Sequence, residues 1–294
     1  MLDAKIQTFI KVVELKSYTR AAEALHLTQP AVTQHIKKLE NHYKCSLFEK
    51  KGKTMTLTRN GQALYKYSLL QEINEKHLLE NMDLKRQTLR IGATLSIADY
   101  YLPKYLNAYM EKSKAPFSVT VRNTKALLDQ LLDGSLHCAF IEGDFNQDLF
   151  DAHEFCTTEF IGVIRKDHPL APGKVSLKSC LAYPLIIREK GSGTRAILEK
   201  FLLEKNLRVD NFKQNNEIGS FAMIKAFIEH SDGISFMYEG VCSEAIKKGT
   251  LKKILLTDFS ITRTLHFIYP VNSILKSKYV SFFNTLINES KEEK

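Results

Sequence analysis

The apolar residues of the first sixty positions fall into helical stripes. Ile6, Phe9, Ile10 and Val13 recur at i, i+3, i+4 and i+7, the spacing of a helix packed on a core. Ala21, Ala22 and Leu25 form the inner edge of a second, short helix, and the alanines are small enough to let another helix cross closely. Val32, Ile36 and Leu39 point one way on a third. Thr28 suits the N-cap of that third helix, and Pro30 falls in its first turn, where a missing N–H costs little. Leu47-Phe48 and Met55-Thr56-Leu57 then read as two short strands around a turn centred on Lys51-Gly52-Lys53, since Gly tolerates the backbone such turns require.

From Thr58 to about Arg86 no Pro interrupts, and the only Gly is Gly61. Leu64, Tyr67, Leu69, Leu70, Ile73, Leu78, Leu79 and Met82 are interleaved with charges. This predicts one helix of about 28 residues, roughly 40 Å long. Its stripe can be covered by a second copy or by the chain's own C-terminal part. Beyond Thr88 the texture becomes strand–helix alternation. Strands are expected at 89–93, 119–121, 137–141, 160–164, 185–187, 216–218, 233–237 and 265–269. Helices are expected at about 99–112, 125–132, 194–205, 220–230 and 277–289. Such alternation means α/β with a largely parallel sheet.

The polar positions give the second and third helices their chemistry. Opposite Val32 and Ile36, the third helix shows Pro30, Gln34 and Lys37, flanked by Thr33 and Lys38, with Gln29 at its start. Gln and Thr can hydrogen-bond base edges, and Lys can neutralise phosphates. Residues 18–37 thus read as a helix-turn-helix, whose second helix presents its N-terminal residues to the major groove. Thr19, Arg20, Thr28 and Ala31 complete the expected contact surface. Lys51 and Lys53 make the hairpin a basic wing suited to phosphate. Residues 1–66 hold twelve basic and five acidic side chains, +7 of the whole-chain +9. That concentration implies a polyanionic partner, and the elements there favour double-stranded DNA over membrane.

In the α/β part, ligands are expected at the carboxyl ends of strands. Three polar loops lie there: Thr94-Leu95-Ser96-Ile97, the run Arg188 to Arg195, and Gly219-Ser220-Phe221. Asn123-Thr124 opens a further helix. Gly191, Ser192, Gly193 and Thr194 offer close backbone approach, hydroxyls and N–H groups at a helix start, which is anion-binding chemistry. Thr94, Ser96, Thr124, Arg188 and Ser220 complete the candidate site for a small anionic metabolite. The Gly-x-Gly is no dinucleotide fingerprint, because the third glycine and the distal acidic ribose ligand are missing.

With 294 residues and 44% hydrophobic content, two or three domains with proper cores are possible. No apolar run marks a secretory signal or a membrane span. Five scattered cysteines, Cys45, Cys138, Cys156, Cys180 and Cys242, fit a reducing cytoplasm and suggest no zinc site. A thiol-based redox regulator stays open as an alternative, needing exposed, low-pKa cysteines. No catalytic constellation, metal set or cofactor motif stands out, which leaves a small-molecule-binding protein or enzyme with a solute-binding-like domain as the alternative from another class.

The chain resembles the LysR-type transcriptional regulators. The matching residues are Phe9, Ser17-Tyr18-Thr19-Arg20-Ala21-Ala22-Glu23-Ala24-Leu25, Thr28-Gln29-Pro30-Ala31-Val32-Thr33, Ile36, Leu39-Glu40, Leu47-Phe48 and Leu57-Thr58. The likeness extends more weakly beyond residue 90, and Lys50 stands where the family usually carries Arg. The resemblance implies an α/β multidomain chain: a winged helix-turn-helix at 1–58, a linker and dimerisation helix at 59–87, and an effector-binding domain at 88–294. That last domain should have two subdomains like a periplasmic solute-binding protein, about 88–164 with 268–294, and about 165–267. The crossovers are expected near Arg165–His168 and Thr264–Tyr269. A homodimer or homotetramer on DNA is implied, touching RNA polymerase if it activates, with no catalysis.

Overall fold

In the computed structural model, residues 3–51, 54–82, 88–113 and 115–292 are described. Helices α1 (Ala4–Leu15), α2 (Tyr18–Ala24) and α3 (Gln29–Tyr43) close around Phe9, Val12, Ala21, Ala22, Val32, Ile36 and Leu39, all buried. Ser17 caps α2 and Thr28 caps α3, each side-chain oxygen accepting a backbone N–H of the first turn. Strands β1 (Phe48–Lys51) and β2 (Thr54–Leu57) pair antiparallel, Phe48 opposite Leu57 and Lys51 opposite Thr54. Gly52 and Lys53, the expected tip of this hairpin, lie outside the described residues. Glu40 Oε1 accepts the Leu47 N–H at 2.8 Å, which ties the hairpin to α3.

Helix α4 (Arg59–Met82) begins where the hairpin ends. Thr58 N–H donates to Leu47 O, and Thr58 Oγ1 donates to Ser46 O while accepting the Gly61 N–H. The helix passes so close that a Cβ on Gly61 would stand 2.1 Å from Leu47 O. The first turns of α4 pack on the N-terminal core, with the Tyr65 ring 6.4 Å from Phe9. The later turns bury Ile73 and His77 against the C-terminal domain. There Asn74 exchanges two 3.0 Å hydrogen bonds with the backbone of Asn272 and Ile274, and Lys76 reaches Asp133 O. Tyr67, Leu78, Leu79 and Met82 stay exposed on other sides. Both ways of covering the stripe therefore bear on this helix: one face is taken by its own C-terminal domain, and another is left open.

The C-terminal domain opens with β3 (Leu89–Ala93), α5 (Leu95–Tyr100), α6 (Leu102–Lys112), β4 (Phe117–Val121), α7 (Thr124–Leu132) and β5 (Cys138–Ile141). Strands β3, β4 and β5 are parallel, as expected. One long helix was expected at 99–112, and two shorter ones stand there, broken at Tyr101 ahead of Pro103. The chain then runs through β6 (Phe150–Arg165), β7 (Lys174–Val175), α8 (Leu177–Cys180), β8 (Pro184–Ile187), α9 (Gly193–Glu204), β9 (Gln214–Glu217), α10 (Phe221–Glu229), β10 (Ser235–Tyr238), α11 (Glu239–Lys247), β11 (Leu251–Lys253), β12 (Leu255–Leu256), β13 (Ile261–Pro270) and α12 (Lys276–Glu292).

The main sheet has the order β10-β6-β13-β5-β3-β4, with β11 also on β6. Strands β6 and β13 pair antiparallel from Phe150↔Pro270 to Phe160↔Ile261, with an irregularity between Leu265 and His266. At one end β13 adjoins β5; at the other, β6 adjoins β10 and β11. The sheet is thus mixed, not largely parallel, and two long strands carry the chain between subdomains. One passage runs along β13, Ile261–Pro270. The passage along β6 lies upstream of Arg165–His168, because Phe160–Arg165 already pairs with second-subdomain strands. A strand of 16 residues needs no loop to cross. Tyr101 fastens the two halves beside these strands: its hydroxyl meets Thr158 Oγ1 at 2.8 Å and accepts the Gly240 N–H at 3.1 Å.

Gly61→Ala should destabilise the N-terminal unit by about 1–3 kcal/mol, since backbone cannot move aside as a flexible side chain would. Urea unfolding of the full chain reads this as a lower midpoint; an unchanged midpoint would mean that α4 starts with slack.

Candidate functional site

The helix-turn-helix brings the sequence-predicted DNA residues to one surface. Thr19, Arg20, Thr28, Gln29, Pro30, Gln34, Lys37 and Lys38 are exposed, and Ala31 and Thr33 half-buried. Gln29 Nε2 donates to Thr33 Oγ1 at 3.0 Å, one helical turn on, which orients the first side chain of α3. The Arg20 guanidinium turns back to Leu15 O. Between α3 and the hairpin runs a groove of about 530 Å³ edged by Gln29, Thr33, Lys37 and Lys50. The expected wing contact Lys53 falls outside the described residues, and for Lys51 only the backbone is described.

The second candidate site lies between the subdomains, where α7 and α9 start. Asn123 caps α7 by accepting the Ala126 N–H at 2.9 Å, and Thr124 Oγ1 donates to Glu142 O at 2.8 Å. From the other subdomain, Gly191 adopts φ +90°, a conformation that favours glycine, and Ser192 and Gly193 lead into α9. A Cβ on Gly193 would sit 3.3 Å from Glu142 Oε1, so the α9 start approaches the first subdomain closely. Two cavities, of about 220 and 460 Å³, meet here and share Thr124, Glu142, Ser192 and Gly193.

Of the nine expected effector residues, Thr94, Thr124, Arg188, Gly191, Ser192 and Gly193 line these cavities. The other three do not. The Thr94–Ile97 stretch was expected as a loop, but Leu95–Ile97 already belongs to α5. Ser96 is therefore fully buried, bonded to Glu142 Oε1 at 3.3 Å and to Thr194 Oγ1 at 3.4 Å. Thr194 is buried with it. Ser220 caps α10, accepting the Met223 N–H. The arginines are also engaged. Arg188 forks the Glu189 carboxylate at 2.7 and 2.8 Å and stacks on Phe221. Arg195 pairs with Glu199 at 2.7 Å and Glu217 at 2.6 Å. Both lie near the cleft, but neither is idle.

The residue that sequence reasoning passed over is Glu142. It follows an apolar strand at its carboxyl end, which is where ligand groups gather in α/β sheets, and that was the available signal. The residue is 4% exposed. Burial pushes its pKa up to about 7, with Tyr238, Ser96 and Arg188 pulling the other way. Glu142 Oε2, Thr94 Oγ1 and Tyr238 OH are buried with no partner within hydrogen-bond distance, Tyr238 OH and the Glu142 carboxyl facing each other.

A different cluster joins α4 to the domain: His77, Glu80 and His137 come together with their ligand-type atoms within 4.8 Å. His137 Nδ1 accepts the Arg90 backbone N–H at 3.0 Å, so the neutral ring carries its proton on Nε2, facing Glu80 at 3.5 Å. Arg90 holds Glu80 at 2.7 Å. Burial, aided by Arg90, drives the His137 pKa down to about 3. These are the marks of a hydrogen-bonded strut between helix and domain; a metal at Nε2 would have to displace the proton.

All five cysteines are free thiols, three of them buried. Burial raises the Cys156 pKa to about 11 and those of Cys180 and Cys242 to about 12, and pushes Cys138 higher still. This is the reverse of what a thiolate-based sensor needs. Among the described residues no helix is long and apolar enough to cross a membrane.

Comparison with known proteins matches both parts of the chain. Residues 4–62 match the bacterial regulatory helix-turn-helix protein, lysR family, and residues 83–291 match the LysR substrate binding domain. The HTH-type transcriptional regulator YeiE of Escherichia coli (strain K12) is 29% identical over 264 residues, covering 89% of this chain and 88% of that one. A Corynebacterium glutamicum OxyR C206 mutant shares the fold with TM-score 0.60 at 19% identity, over 98% of this chain and 91% of that one. The Synechocystis PCC6803 CcmR regulatory domain, in complex with 2-PG, gives TM-score 0.59 at 20% identity, over 67% of this chain and 95% of that one. The chain belongs to the LysR family of DNA-binding transcriptional regulators, a family that regulates rather than catalyses.

Proposed function

We propose that this cytoplasmic regulator binds a two-fold related promoter site as a dimer or tetramer, and that a small anionic metabolite in the cleft between its subdomains shifts its geometry on DNA. The observation that carries the DNA half is the exposed row Gln29, Gln34, Lys37 and Lys38 on a helix whose opposite face is locked in the core. Gln29, Thr33 and Gln34 read base edges; Thr19, Arg20, Thr28, Pro30, Ala31, Lys37, Lys38 and the wing lysines Lys51 and Lys53 set the register on the backbone. A second copy covers the exposed face of α4, where Tyr67, Leu79 and Met82 are more than half exposed. RNA polymerase is a further partner if the response is activation.

The effector half rests on the convergence of the α7 and α9 starts on the cavities beside Arg188. Oriented N–H groups there favour a negative group, and 2-PG held by the CcmR regulatory domain is a ligand of the same kind of domain. Thr124, Gly191, Ser192 and Gly193 are the direct contacts, Thr94 and Arg188 border them, and Ser96, Thr194 and Ser220 hold the surrounding structure. The ligand acts by binding two quaternary states unequally.

Gln29→Ala and Gln34→Ala should each cost about 1–3 kcal/mol on the cognate operator and relax preference at one position, whereas Lys51→Ala with Lys53→Ala should weaken all sequences and reduce the salt slope by about one to two units. Binding titrations at several salt concentrations separate the two; unaltered affinity and sequence preference in both glutamine variants would remove them from base reading. For the cleft, a thermal-shift screen of small anions against the full chain should yield a stabilising ligand. Combining Thr124→Val with Ser192→Ala should weaken it by about 1–3 kcal/mol. A ligand held equally by the variant, or a cationic hit, would defeat this assignment.

A further inference from the structure

The cleft just described is not simply electropositive. Glu142 lies at the junction of its two cavities, and a buried carboxylate oxygen without a partner is costly. Ser96 offers one hydrogen bond to Oε1, at 3.3 Å; Oε2 has no partner within hydrogen-bond distance, and the Tyr238 and Thr194 hydroxyls face the carboxyl from farther off. The groups around it come from every packed element. Ser96 is on α5, Tyr101 follows it, Thr194 is on α9, Tyr238 ends β10, Arg188 follows β8, and Arg263 on β13 borders the larger cavity. None of the cations reaches the carboxyl as an ion pair among the described residues: Arg188 is held by Glu189.

We propose that Glu142 selects the effector by demanding a hydrogen-bond donor, so that the cleft accepts an anion bearing a hydroxyl, an ammonium or its own acidic proton and rejects an anion that has acceptors only. This deepens the reading of the cleft as an anion site and rests on it. The α7 and α9 N–H groups take the negative end of such a ligand, and its donor completes the bonding of Oε2. An acceptor-only anion would bring lone pairs against a carboxylate in a poorly hydrated place. The ionisation of Glu142, held near 7 by burial, sets when this discrimination operates. Above that point the group is a carboxylate that only accepts. Below it the carboxyl is protonated and donates, so the penalty on an acceptor-only anion disappears.

Inorganic phosphate and sulfate form a matched pair for the test. In mildly alkaline solution both are dianions of similar size, but phosphate keeps one proton and sulfate none. Calorimetry on the full wild-type chain at about pH 8.5 should show phosphate favoured by roughly tenfold or more, the worth of one hydrogen bond to a charged group. Sulfate should gain affinity as the pH falls to about 6, as Glu142 takes up its proton. In Glu142→Gln the amide can donate, so sulfate should approach phosphate at the higher pH. Equal binding of the two anions by wild type at about pH 8.5, or an unchanged preference in a folded Glu142→Gln protein, would overturn the donor rule while leaving the anion site standing. The wild-type comparison across pH decides the matter should the variant not fold. Binding of neither anion at either pH would instead remove the anion reading and this inference with it.

Discussion

The backbone pairing of β6 with β13 is the constraint on which the C-terminal domain depends. Ten positions of β13 face β6 in one antiparallel ladder, interrupted once between Leu265 and His266. On one side the ladder holds β5 and the parallel strands beyond it; on the other it holds β10 and β11. Neither subdomain can leave without breaking ladder hydrogen bonds, so the cleft between them is bounded by a continuous sheet. Relative movement is confined to what these two strands permit by twisting, with the irregularity at Leu265 marking where the ladder is interrupted and bends and the Tyr101 bridge where that twist is resisted.

Because the subdomains share a sheet, the starts of α7 and α9 meet over Glu142 from opposite sides. Gly193 allows that approach, and Thr124 binds the Glu142 carbonyl. A polar site results in which backbone dipoles and a buried acid oppose each other. Charge of one sign would make a less selective cleft. The acid raises the cost of the empty site and lowers it only for ligands that answer with a donor, which is how an unsatisfied buried group becomes a source of specificity.

How much could be read beforehand followed from how local each feature is. The helix-turn-helix was legible almost to the residue, since the cap at Thr28 and the stripe Val32, Ile36, Leu39 are set within a turn or two. The long β6 was not. Its first half, Phe150–Thr158, alternates irregularly between buried and half-exposed positions, and its strand character comes from a partner about a hundred residues later. Ser96 was misplaced because Thr94 alone separates the strand end at Ala93 from the helix start at Leu95, leaving no loop. Glu142 looked like punctuation after an apolar strand; its burial is produced by α9, some fifty residues on, which sequence spacing does not register.

Helix α4 is anchored at both ends, by the close pass of Gly61 over Leu47 O and by Asn74, Lys76 and the His77–Glu80–His137 strut. It therefore behaves as a lever rather than a tether. A helix of 24 residues is about 36 Å long. A tilt of about 5° at the strut would carry its far end through about 3 Å, close to the spacing of one nucleotide step along a strand. On the proposed reading, a rotation that small at the strut would shift the helix-turn-helix along DNA by about one such step.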